Sequence, residues 1–94
     1  MISVDEKAKP MLARGVRLRN DPISGEPLLL FPEGVLPLDE TAHDVLRRCS
    51  GEATLEAIVQ SLAQEYEADH ETVRCDVCEC LVQLHQRMLI AFTQ

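Results

Sequence analysis

Sixteen acidic against nine basic side chains in 94 residues give a formal charge of −7, and 46% apolar content fits one small folded domain. The first 38 residues balance five bases (Lys7, Lys9, Arg14, Arg17, Arg19) with five acids (Asp5, Glu6, Asp21, Glu26, Glu33), so residues 39–94 carry the whole imbalance; that sign disfavours nucleic acid and admits a neutral or basic polypeptide partner. With no apolar run of about 18 residues and no basic, apolar leader, the expectation is a cytoplasmic chain with no membrane association.

Residues 1–13 show no clear period, and Pro10 interrupts their one mildly helical stretch, which predicts a flexible N-terminal arm before a single domain over 14–94. From Val16 to Asn20 apolar and basic residues alternate with the two-residue period of a half-buried strand. A turn at Asp21, Pro22, Ser24 and Gly25 leads to the apolar run 27–31; a second turn at Pro32, Glu33 and Gly34 leads to a third strand over 35–38. Together these predict a three-stranded antiparallel meander.

Asp39 is placed to cap a helix over about 40–49, with Ala42, Val45, Leu46 and Cys49 on one face and Ser50 and Gly51 ending it. Thr54 is placed to cap a second, over 55–67, whose Leu55, Ile58, Val59, Leu62, Ala63 and Tyr66 form one apolar stripe. Asp69 is placed to cap a third, over 70–88, and Leu89 to Phe92 either continue it or add a short tail strand. The fold class is therefore α+β, a winged helix-turn-helix-like arrangement with the sheet placed first and its third strand at an edge. Such an edge can receive a foreign strand.

The third helix is the least ordinary element. Val73, Val77, Cys80, Leu81, Leu84 and Met88 share one sector and Cys75, Cys78, Val82 and His85 an adjoining one, leaving Asp76, Glu79, Gln83, Gln86 and Arg87 as a polar strip. That arc is roughly twice the stripe a single core needs, which implies a second surface for a partner. Arg74, inside the arc, either meets a carboxylate of a bound peptide or snorkels past Cys78.

Catalytic chemistry is sparse: His43, His70 and His85 lie on separate segments, and there is no glycine-rich phosphate loop or nucleophile motif, so no enzyme activity is expected. Metal ligands must converge, yet of the Cys75, Cys78, Cys80 run with His85, Cys80 points away from the others. The cysteines therefore read as small apolar lining, with no metal and no cofactor.

Arg14-Gly15-Val16-Arg17-Leu18, Asp21, Ser24-Gly25, Leu28-Leu29-Leu30 with Pro32-Glu33, Leu38-Asp39-x-x-Ala42, Val45-Leu46, Cys49-x-Gly51, Ile58, and Asp76-Val77 with Leu81 resemble the PqqD family from Pro10 to Ile90. The resemblance implies a peptide chaperone in pyrroloquinoline quinone biosynthesis, one that binds the leader of the precursor peptide PqqA and presents it to PqqE. That partner is a radical S-adenosylmethionine enzyme, and the iron-sulfur chemistry would be its own. In such domains the leader adds as a strand beside the third strand, in a cleft bordered by the third helix. Carried onto this chain, the resemblance places Val35, Leu36 and Leu38 on the edge and Val73, Arg74, Val77, Cys78, Leu81 and Leu84 along the helix wall. Val73, Val77, Cys80, Leu84 and Met88 would mainly hold the helix to its core, and Arg74, Cys78 and Leu81 would border the peptide.

Pro37 lacks an N–H, so it either turns that position away from the incoming strand or shortens the ladder by one bond. Two rival readings are a homodimer through the wide arc, with Cys75, Val82 and His85 facing a second copy, and a DNA-binding winged helix, which the charge disfavours.

Overall fold

The computed structural model describes residues 5–93. Its elements are β1 (Lys9–Leu12), β2 (Arg17–Asn20), β3 (Pro27–Phe31), β4 (Gly34–Pro37), α1 (Glu40–Leu46), α2 (Leu55–Tyr66), α3 (His70–Gln86) and β5 (Ile90–Thr93). Strands β2, β3 and β4 form the predicted antiparallel meander in that order, with β4 at an edge. Its first turn is built by Asp21, whose Oδ1 accepts from the backbone N–H of Ile23 at 2.8 Å and of Ser24 at 3.3 Å, while Gly25 supplies a φ of +77°.

Alternation sorts the sheet into two faces. Leu18, Leu29 and Leu36 stand in one cross-strand row toward the helices, and Arg17, Leu30 and Val35 in a row on the opposite face. Leu29 is fully buried and Val35 is 55% exposed, which shows which face meets the core.

All three predicted caps are present: Asp39, Thr54 and Asp69 accept hydrogen bonds from the N–H of Ala42, Ala57 and Thr72 at 2.7, 3.1 and 3.0 Å. The helices end earlier than their periodicity suggests. α1 stops at Leu46, and residues 47–49 continue in turns toward Gly51. Gly51 has a φ of +84°, and it is this left-handed conformation that favours glycine, since a Cβ there would meet Met11 Cβ at an ordinary 3.4 Å.

α3 ends at Gln86 rather than at residue 88, because Met88 adopts a φ of +62° and Leu89 N–H reaches back to Leu84 C=O at 3.0 Å. That reversal throws Met88 outward: it is 80% exposed, not a core residue as its helical position implied.

Residues 9–12 correct the expectation of an arm. They form β1, paired antiparallel with β5 from Lys9 opposite Thr93 to Leu12 opposite Ile90. The tail-strand alternative for the end of the chain is the one realised. Ala8 and Pro10 are buried, and Gly51 N–H and Leu55 N–H donate to Pro10 C=O and Ala8 C=O at 3.0 and 2.9 Å, which ties this segment to the α1–α2 connection. Residues 1–4 of the expected arm lie outside the described residues. The core joins Leu29 to Val45, Leu46, Leu55, Ile58, Val59, Val77, Leu81 and Ile90. Among the described residues no helix is long and apolar enough to cross a membrane.

Candidate functional site

The open edge is defined by which backbone groups β4 has already used. Asp21 N–H donates to Glu26 C=O at 2.7 Å and Leu38 N–H to Pro27 C=O at 3.0 Å, so alternate residues of β3 serve β2 and β4 in turn. With Leu29 opposite Leu36 and Phe31 opposite Gly34, the polar groups of Leu36 and Gly34 turn inward to β3. Those of Val35 and Pro37 turn to the open side.

Beside this edge lies a groove of about 210 Å³ lined by Leu36, Pro37, Leu38, Asp39 and Ala42 on one bank and by Cys80, Gln83, Leu84 and Arg87 on the other. An adjoining hollow shares Asp39, Ala42, Cys80 and Gln83 and extends to Thr41, Asp76 and Glu79. A third, beyond it, shares Thr41 and Asp76 and reaches Leu62, Tyr66, Thr72, Val73 and Val77. The three make one trough along a single flank of α3, apolar at its floor and acidic on its lip through Asp39, Asp76 and Glu79, with Arg87 at the β4 end.

Of the residues singled out from the sequence, Leu36, Leu38 and Leu84 meet at the near end of this trough and Val73 and Val77 line its far end. Val35 presents its backbone to the edge and its side chain to the outer sheet face. Leu81 is fully buried in the core, so it supports the wall from behind rather than bordering the trough.

Arg74 and Cys78 lie on the opposite flank of α3. There Arg74 Nη1 pairs with Glu6 and, at 3.4 Å, with Glu56 Oε2, whose carboxylate also meets His70 Nε2 at 3.0 Å. The same flank carries His85, whose ring packs against Phe92 of β5 with centroids 5.1 Å apart. On this side the wide arc is partly covered from within the chain, by the N-terminal segment at Arg74 and by β5 at His85, while Cys75 and His85 stay exposed.

Cys80, Gln83 and Arg87 are trough residues that periodicity had assigned to core and polar strip. With Asp76 they recur at three- and four-residue spacing along one flank of α3, a stripe whose small member and mixed polarity were its only signal. Burial, with a smaller contribution from nearby Asp39, pushes the Cys80 thiol up to about 11, so it faces the trough as a neutral, weakly polar contact. Cys75 is exposed and Cys78 half-buried on other sides of the helix. Among the described residues no three His, Cys, Asp or Glu side chains are grouped to hold a metal ion.

A strand edge left open beside a helix-walled trough, on a three-helix scaffold, is the architecture of a small polypeptide-recognition domain. The family model described as "Coenzyme PQQ synthesis protein D (PqqD)" matches residues 26–90. The PqqA binding protein of Xanthomonas campestris pv. campestris (strain B100) is 38% identical over 90 residues, covering 96% of this chain and 98% of its own. That of Xanthomonas oryzae pv. oryzae (strain KACC10331 / KXO85) is 39% identical over the same spans. The chain belongs to the PqqD family.

Solved structures agree on the fold. The solution structure of the PqqD truncation of Methylobacterium extorquens PqqCD superposes with a TM-score of 0.75, at 38% identity over 87% of each chain. It is described as a functional, stand-alone recognition element for ribosomally synthesized and post-translationally modified peptides. The crystal structure of PqqD from Xanthomonas campestris gives a TM-score of 0.58 at 38% identity, covering 93% of this chain and 97% of that one.

Proposed function

We propose that this chain is a peptide chaperone: it binds the precursor peptide PqqA as an added strand on β4 and presents it to the radical S-adenosylmethionine enzyme PqqE. The observation that carries this reading is the open β4 edge running beside the trough between Leu36, Leu38 and Cys80, Leu84. Backbone pairing at the edge supplies affinity for any extended chain, and the trough selects side chains. The relatives named as PqqA binding proteins supply the identity of the peptide.

The contact residues are then the backbone of Val35 and the side chains of Leu36, Leu38, Cys80, Gln83, Leu84 and Arg87. Burying two leader side chains at roughly 1.5–3 kcal/mol each and forming three backbone hydrogen bonds at about 1 kcal/mol each gives roughly 6–9 kcal/mol before the cost of ordering a flexible peptide, which leads to binding no tighter than the micromolar range. Titrating PqqA into isotopically labelled protein is expected to shift the amides of residues 34–39 and 80–87. Shifts confined to Arg74, Cys78 and the strand β5 would refute the assignment.

A further inference from the structure

The exposed edge of β4 is chemically lopsided. Val35 directs both an N–H and a C=O outward, whereas Pro37 directs a C=O outward with no N–H beside it. The edge also stops short at either end. Glu33 belongs to the turn between β3 and β4, and the carbonyl of Asp39 is taken by His43 N–H at 3.0 Å. Within β4 itself an added strand therefore meets one donor and two acceptors, the next donor being the Asp39 N–H beyond Pro37.

We infer that Pro37 ends the ladder and makes this edge selective for a three-residue pattern in the bound peptide: apolar, any residue but proline, apolar. The inference rests on the strand-addition reading above. Every strand pairing in the fold is antiparallel, and antiparallel pairing is the more stable per residue, so the added strand is taken as antiparallel to β4. The peptide residue opposite Val35 then exchanges two hydrogen bonds with it. The residue opposite Pro37 donates its N–H to the Pro37 carbonyl, while its own carbonyl meets the proline ring and finds no donor.

Side chains follow from the same register. Residues directly opposite on adjacent strands share a face, so the peptide residues opposite Leu36 and Leu38 point to the trough, toward Cys80 and Leu84. The residue between them, opposite Pro37, points to the outer face and is free in side chain. It is not free in backbone: as the sole donor to the Pro37 carbonyl it cannot be proline. A slip of one residue would turn both apolar side chains away from the trough. Only three backbone bonds are on offer within β4, so the two apolar side chains carry the choice of peptide.

The test is Pro37→Ala, a change at an exposed position that supplies the missing donor. Calorimetric titration with PqqA is expected to show about fivefold tighter binding than the parent, the effect of one added hydrogen bond. Amide exchange is expected to slow on peptide addition at Val35 in both proteins and at the new amide of position 37 in the variant. Protection at Val35 with unchanged or weaker affinity and no protection at position 37 overturns this inference alone. No protection at Val35 in either protein overturns the strand-addition reading and this inference with it.

Discussion

Burial changes the chemistry of single thiols here more than that of any other side chain. Cys49 is 6% exposed, and burial first, then the proximity of Cys80, pushes its thiol from 9.0 up to about 12. The folded protein keeps a proton that the unfolded chain surrenders near pH 9, so this contribution to stability is complete below pH 9 and is lost as pH rises toward 12. The expected slope is up to about 1.4 kcal/mol per pH unit. Urea midpoints of the parent and of Cys49→Ala between pH 8 and 10.5 would show it: the parent loses stability with pH more steeply, and parallel curves would contradict it. Legibility at this scale followed chemistry. Leu36, Leu38 and Leu84 entered the proposed site through the family resemblance and line the groove beside β4, whereas Cys80, Gln83 and Arg87 look like nothing until β4 is placed beside them. Arg74 illustrates the converse: a cation in an apolar arc suggested a ligand carboxylate, and Glu6 and Glu56 from the chain itself fill that role.

The elements were legible where a cap announced them and less so where a backbone reversal ended them. Asp39, Thr54 and Asp69 fixed three helix starts, because a side-chain oxygen at that position has one dominant use. The far ends of α2 and α3 are closed by Glu67 and Met88 in left-handed conformation, a task more often given to glycine, so no residue type marked them. Left-handed backbone costs a residue with a Cβ roughly 1–2 kcal/mol, a cost that glycine removes while losing about 0.4–1 kcal/mol to the freedom it adds to the unfolded chain. Met88→Gly is thus expected to raise stability by about 0.5–1 kcal/mol, since the Met88 side chain is 80% exposed and little packing is lost. Thermal unfolding would detect the gain. A fall in melting temperature would mean that Met88 makes a contact its exposure does not suggest.

At the scale of the whole molecule, the meander and three helices follow from local pattern, but the β1–β5 pairing does not. Its partners stand 84 positions apart at Lys9 and Thr93, and no window of neighbouring residues carries information about a pairing that distant. Pro10 made the first of these segments look irregular, although proline is at home in a two-stranded ribbon where one side is unpaired. On the broad face of α3, His85 packs on Phe92 of β5 yet stays exposed, as does Cys75, so the ribbon covers this flank only in part. Deleting residues 1–12 would strip cover from Leu89 and Ile90, now 4% and 3% exposed. The expected loss is on the order of 3 kcal/mol, a fall of roughly 12–24 °C in melting temperature. A truncated protein that melts with the parent would show the ribbon to be dispensable.

The ribbon has a further consequence for how this domain can be joined to others. Because β1 and β5 run side by side in opposite directions, Lys9 and Thr93 are neighbours, and residues 5–8 continue from Lys9 along the start of α2, where Leu55 N–H and Glu56 N–H donate to Ala8 C=O and Glu6 C=O at 2.9 and 3.2 Å. Lys9 and Thr93 belong to the His85 flank of α3, on the far side of the helix from Cys80 and Arg87. A second module joined beyond Thr93 therefore leaves from the side of α3 away from the proposed trough, and a short tether holds it at millimolar effective concentration. Attachment beyond β5 is thereby decoupled from access to the proposed trough.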